Sequence, residues 1–247
     1  MPVKPISYDR MARTINLSLM RLRVSRWSCA AVLLVVPLGL IADIALVAGP
    51  GETTETVLQR FSLATDRSVP TFLASILLLS CSGLLALCAK AEEAEGERRA
   101  WPWWLLAATF ALLALDEVAM LHETAGQVLE RLVPQIESLG PAFHYAWTLV
   151  GIPAVIVLAL VLAPWFLRLG GRSQFLFGAS AVVFVSGAVG VEMVNSALDH
   201  AIAGRSLVYS LSTVVEETLE FAGVLLFQFA LLRHLSNNPF DLAVDLR

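Results

Sequence analysis

Three short stretches hold most of the side chains that could do chemistry inside the apolar parts of this chain. LDEVAMLHE, residues 115–123, brings Asp116, Glu117, His122 and Glu123. VEMVNSALDH, residues 191–200, brings Glu192, Asn195, Ser196, Asp199 and His200. STVVEETLEFAG, residues 212–223, brings Glu216, Glu217 and Glu220. Carboxylates flanked by histidines suit hard or borderline cations: iron, manganese, zinc or calcium. A spare glutamate then acts as general base on metal-bound water. The same carboxylates can instead exchange protons or a cation.

Helical phase sorts these groups. At about 100° per residue, Glu123 lies near −20° from Asp116 and Glu117 near 100°, whereas His122 falls near −120°. Three carboxylates therefore share a face, and the histidine leaves it unless the helix unwinds at its end. From Glu192, the residues Asn195, Ser196, Asp199 and His200 all fit an arc of roughly 140°. From Glu216, the residues Tyr209, Glu220, Thr213 and Glu217 lie between about 20° and 100°. Ser186 and Gly190 form a small-x-x-x-small pair just before Glu192, a spacing that lets a neighbouring helix come close.

The elements that must carry these faces are membrane helices. Of 247 residues, 57% are hydrophobic and only 15% charged. The mean hydropathy is +0.72. Soluble domains carry about 25% charged residues. Continuous apolar runs near 27–48, 70–90, 101–122, 144–167, 174–198 and 207–232 are each long enough to span, and none alternates like a strand. The expected fold is an all-α, six-helix transmembrane bundle. The basic segment 1–26 is either an interfacial helix or a topogenic tail. Residues 27–233 form the transmembrane domain, and 234–247 a C-terminal tail. Lys4, Arg10, Arg13, Arg21, Arg23, Arg26, Lys90, Arg98, Arg99, Arg168, Arg172, Arg233 and Arg247 fall on one side, against Arg60, Arg67, Arg131 and Arg205 on the other. The positive-inside rule then puts both termini in the cytoplasm. The net charge of −4 is small and says little about nucleic acid, but no basic patch is interleaved with aromatics, so nucleic acid is not expected as a partner. Cys29, Cys81 and Cys88 lie in apolar runs without metal spacing and read as buried packing residues.

This topology puts all three polar faces in the outer half of the bilayer, level with Asp43 and His144. Asp43, Asp116, Glu117, Glu192, Glu216, Glu217 and Glu220 would cost on the order of 20 kcal/mol if every one faced lipid at the centre. They call for bound cations, shared protons or a wet cavity, with Arg67 or Arg205 able to fold in from the loops. The leading expectation is a divalent-metal site held by Asp116, Glu117, His122, Glu123, Glu192, Asp199, His200 and Glu216. Glu217 and Glu220 are then the catalytic carboxylates, hydrolytic or oxidative toward a lipid-like or small-molecule substrate. Three-histidine coordination by His122, His144 and His200 is one form of it. The alternatives are proton or cation translocation, for which Gln228 and Ser75 are the few polar stepping stones toward the cytoplasm, and a structural subunit whose polar faces only pack. Ser75, Ser82 and Thr148 read as interhelical hydrogen-bond glue.

VPTFLASILLLS after Asp66-Arg67, the D-E-x-x-x-x-H-E of residues 116–123 and the E-E-x-x-E of residues 216–220 resemble a group of uncharacterised bacterial multi-pass membrane proteins. The resemblance implies a bacterial inner-membrane location and supplies no reaction. There is also a distant similarity to membrane zinc hydrolases of the ceramidase type, whose late H-x-x-x-H pair this chain lacks.

Overall fold

The structure, a computed structural model, describes residues 8–94, 96, 100–202 and 206–237, with side chains from residue 22 onward except residue 137. The apolar runs fold as helices. They are α1 (Tyr8–Val47), α2 (Glu52–Gln59), α3 (Val69–Ala94), α4 (Trp101–Ala119), α5 (Leu121–Leu132), α6 (Thr148–Phe166), α7 (Gly171–Val185), α8 (Glu192–Ala201) and α9 (Leu207–Asn237). No strand forms among the described residues. Five stretches are long and apolar enough to cross a membrane: Leu22–Val47, Val69–Ala94, Trp101–Ala119, Thr148–Phe166 and Gly171–Ala201. The chain is therefore an all-helical protein suited to a lipid bilayer. Helix α9 has 31 residues, about 46 Å at 1.5 Å each, so length alone would let it span. Its glutamates set it apart from the other five.

The basic start of the chain is continuous with the first span. Helix α1 runs for 40 residues, about 60 Å, twice the roughly 30 Å hydrocarbon thickness. The side chains of its first half, and the tail from residue 238 onward, lie outside the described residues.

Helices α1, α3 and α7 pack on α9, while α4 packs on α3. The core lies between them: Leu77, Leu78, Cys81, Leu85, Trp103, Phe177, Phe221, Val224, Phe227 and Leu231. Burying each large apolar side chain contributes about 1.5–3 kcal/mol in water, but lipid weakens that drive, so close fit and hydrogen bonds matter more here. Ser75 donates to the Ala114 carbonyl at 2.7 Å and Ser82 to that of Ala107 at 2.8 Å, pinning α3 to α4. Thr148 caps its own turn on Tyr145 O. Gln228 donates to Ser80 at 2.7 Å. Cys81 and Cys88 are buried as expected, but Cys29 is exposed on the outer face of α1, where the bilayer would cover it.

Two glycines set the closest helix approaches. A Cβ on Gly223 would sit 2.7 Å from the backbone nitrogen of Phe184, and one on Gly187 would sit 2.8 Å from the Glu216 carbonyl. Thus α7 and the segment after it lie directly on α9. That segment, Ser186–Val191, is a π-helical turn joining α7 to α8. The expected Ser186–Gly190 contact does not form. Ser186 is exposed and bonds its own helix at Val182 O, and nothing lies within 4 Å of a Cβ on Gly190. The π turn holds one residue more than an α turn, which changes the phase and hands the close approach to Gly187.

Candidate acidic site at the loop-rich end

The helix ends that carry α2, α5 and the 3₁₀ turns Pro134–Leu139 and Pro141–Phe143 form one loop-rich end of the bundle. The polar faces of α4, α8 and α9 meet just beneath it. At the centre, Glu216 is buried and accepts a hydrogen bond from the Asn195 amide, with the carboxyl of Glu192 beside it. Two carboxyls this close disfavour ionisation of both at once. The other Glu192 contact comes from α6: the Trp147 indole N–H donates to it at 3.0 Å. One turn on, Glu217 and Glu220 border a void of about 10 Å³, otherwise lined by apolar side chains of α3, α7 and α9, room for about one water. Glu117 of α4 is the acidic neighbour that Glu217 feels most strongly, ahead of Asp66 and Glu192.

The opening histidine does turn back to its carboxylate. Helix α4 stops at Met120, whose backbone is left-handed (φ 50°, ψ 45°), and α5 starts at once. The break lets Asp116 accept the His122 backbone N–H at 2.7 Å and the ring Nδ1 at 2.8 Å. Asp116 thereby serves an otherwise orphan donor in the first turn of α5. Burial pulls the His122 pKa down, yet the Asp116 hydrogen bond and charge outweigh it and hold it above its ordinary 6.5. Burial, and next the charge of Asp66, push Glu123 up.

Trp147 ties the site together, and it was not among the expected site residues. Its ring lies over Gly151, where a Cβ would come within 2.5 Å, and its backbone packs on Gly126 of α5. The His122 ring meets it edge-on at 5.0 Å. One indole thus contacts α5, α6 and α8. The sequence signal was a tryptophan one turn before a glycine at a span end. Two further links close the end: Tyr145 OH meets Tyr209 OH at 3.2 Å, and Ser196 accepts from Tyr145 N at 2.9 Å.

The expected metal set separates into three groups. Asp116 and His122 pair with each other. Glu117, Glu192 and Glu216 make the second group, next to the expected catalytic carboxylates Glu217 and Glu220, while Glu123 stays beside His122 at the start of α5. Asp199 and His200, though on the predicted arc, lie exposed one to two turns beyond the buried part of α8. There His144 Nε2 stands 3.8 Å from Asp199, and the His144 and His200 rings lie 5.3 Å apart. His122 is not with them. Among the described residues no three His, Cys, Asp or Glu side chains are placed to hold a metal ion.

A groove of about 400 Å³ opens above the acidic group, lined by Gln59, Arg60, Thr65, Asp66, Arg67 and Met120. Its wall, the loop from Arg60 to Val69, is closed by Val69 N to Arg60 O at 2.8 Å. It is anchored on α1 through Asp43, which accepts from Ser62 Oγ at 2.5 Å and Leu63 N at 3.1 Å. So Asp43 is structural. Arg67 borders the groove without an ion pair among the described residues, and Arg205 lies outside them.

A family model, domain of unknown function DUF8692, matches residues 28–235, from the first span to the end of α9. The chain belongs to the DUF8692 family. No curated protein and no solved structure matches it. The match covers every group of this DUF8692 site, and agrees with the expectation of an uncharacterised family.

Proposed function

We propose that this protein is a six-span protein of the bacterial inner membrane, with α9 as the sixth span and both termini cytoplasmic. Its acidic site, in the periplasmic half, exchanges protons or a small cation. The observation that carries the reading is the juxtaposed Glu192 and Glu216, held by Trp147 and Asn195, with no lysine or arginine in ion-pair contact among the described residues. Such a pair needs a shared proton or cation in place of a basic partner. Glu217, Glu220 and Glu117 extend it along α9 and α4. The metal-dependent reading asks Asp116, Glu192 and Glu216 to reach one point, whereas Asp116 is committed to His122, so proton handling is the better supported of the two. Toward the cytoplasm, Gln228 and Ser80 bond each other and Ser75 bonds Ala114, so a full path would require these bonds to open.

The test is infrared difference spectroscopy of protein in lipid across a pH titration, with proton uptake followed in vesicles holding a pH dye. A protonated-carboxyl band near neutral pH is expected, with loss of its major part in Glu216→Gln. No such band, together with proton uptake indifferent to Glu216→Gln and Glu220→Gln, would sink the reading.

A further inference from the structure

The groove above the acidic site has its own chemistry. Arg60 and Arg67 stand seven residues apart, yet both line it, because the loop between them closes on itself. Arg60 donates through Nη1 to the Arg67 carbonyl at 3.3 Å, which fixes one guanidinium across the groove. Neither arginine has a carboxylate within ion-pair distance among the described residues, although Asp66 lies between them in sequence and lines the same groove. Two guanidiniums without acidic partners favour an anion with several acceptor oxygens, and phosphate matches their fork of donors. Asp66, with Glu117, Glu123 and Glu217 within its electrostatic reach, works against a simple anion and favours an adjacent positive charge. The volume, about 400 Å³, is of small-ligand size. Arg67 comes two residues before α3 begins at Val69, so on the six-span reading the groove lies at headgroup depth.

We propose that this groove binds a phosphate–ammonium zwitterion, the phosphoethanolamine headgroup of a surrounding lipid. Arg60 and Arg67 hold the phosphate oxygens and Asp66 holds the ammonium. Met120, at the break between α4 and α5, forms the apolar wall against which the glycerol end rests. The depth argument rests on the spanning reading, while the binding measurement below is independent of proton exchange.

Full-length protein is incorporated into nanodiscs of phosphatidylethanolamine and phosphatidylglycerol, released, and the retained lipids are identified by native mass spectrometry. Retention of phosphatidylethanolamine over phosphatidylglycerol is expected. Arg67→Gln removes a guanidinium with no hydrogen bond of its own among the described residues, so the fold should survive. It should weaken retention roughly tenfold, the loss expected for one charge-assisted hydrogen bond. Asp66→Asn should abolish the preference between the two lipids while leaving total retention similar. A second arm adds soluble glycerophosphoethanolamine to delipidated protein. Binding there without lipid retention overturns the lipid as the source. Equal retention of both lipids by wild type, or retention unchanged in Arg67→Gln, overturns the site. Since proton uptake is scored separately, in vesicles holding a pH dye, its absence bears on the acidic pair alone.

Discussion

Glu216 is where the chemistry of single residues concentrates. It accepts from Asn195 and stands beside Glu192, so replacing it by alanine leaves the Asn195 amide without that partner in a water-poor place, while Glu192 keeps the Trp147 N–H. Such a loss costs about 1–3 kcal/mol. Glu216→Gln keeps shape and one acceptor, and should fold with a smaller loss in thermal stability than Glu216→Ala. His122 supplies the pH dependence that can be measured. Its folded pKa lies above 6.5, so its contribution to stability is fully present below about 6.5 and fades as pH rises through the higher folded value. The acidic groups acting on it are Asp116, Glu117 and Glu123 nearby in the chain and Glu192 from α8. Melting temperatures of wild type and His122→Gln, compared across pH 5 to 9 (roughly the range in which histidine titrates), should converge at the alkaline end. A constant gap would contradict the pairing.

At the scale of helices, the close approaches are the sensitive points. Gly187→Ala puts a methyl 2.8 Å from a carbonyl of α9 and is expected to destabilise by about 1–3 kcal/mol, read as a lower melting temperature in detergent. Met120→Gly should do the reverse, by about 1 kcal/mol, since glycine accepts the left-handed backbone that methionine resists. This same residue explains where phase arithmetic failed. The three carboxylate faces could be read from 3.6-residue spacing because α8, α9 and most of α4 are regular. His122 could not, because a left-handed methionine leaves no mark in a sequence, unlike the glycine or asparagine usual at such a break. The Ser186–Gly190 spacing misled for the same reason: a π turn shifts phase without any residue type announcing it. Asp199 and His200 had the right angle and the wrong depth, which angle alone does not encode. Trp147 was missed because its partners come from α5, α6 and α8, three elements separated in sequence.

For the whole molecule, the question is which way it faces. A cysteine at Ser138, exposed at the loop-rich end, should react with a membrane-impermeant maleimide added outside intact cells. One at Gly96 should react only after permeabilisation. Cys81 and Cys88 are buried, and Cys29, though exposed, lies within a stretch apolar enough to span, so background labelling should be low. The reverse pattern would move the acidic site to the cytoplasmic side. The composition made an all-helical membrane protein legible from the start, because apolar runs of this length have few other uses. Helix α9 stands apart from the five apolar spans, since the glutamates that give it its interest also lower its apolarity.

The π turn at Ser186–Val191 means that this helix carries one residue of slack. Were the same residues wound as a plain α-helix, Glu192 would swing by about 100° about the axis and leave Glu216. Deleting Gly190, where even a Cβ would face open space, should instead take up the slack and leave Glu192 aimed where it is. A chain one residue shorter would then keep its acidic pair, whereas a chain of full length with a regular helix would lose it.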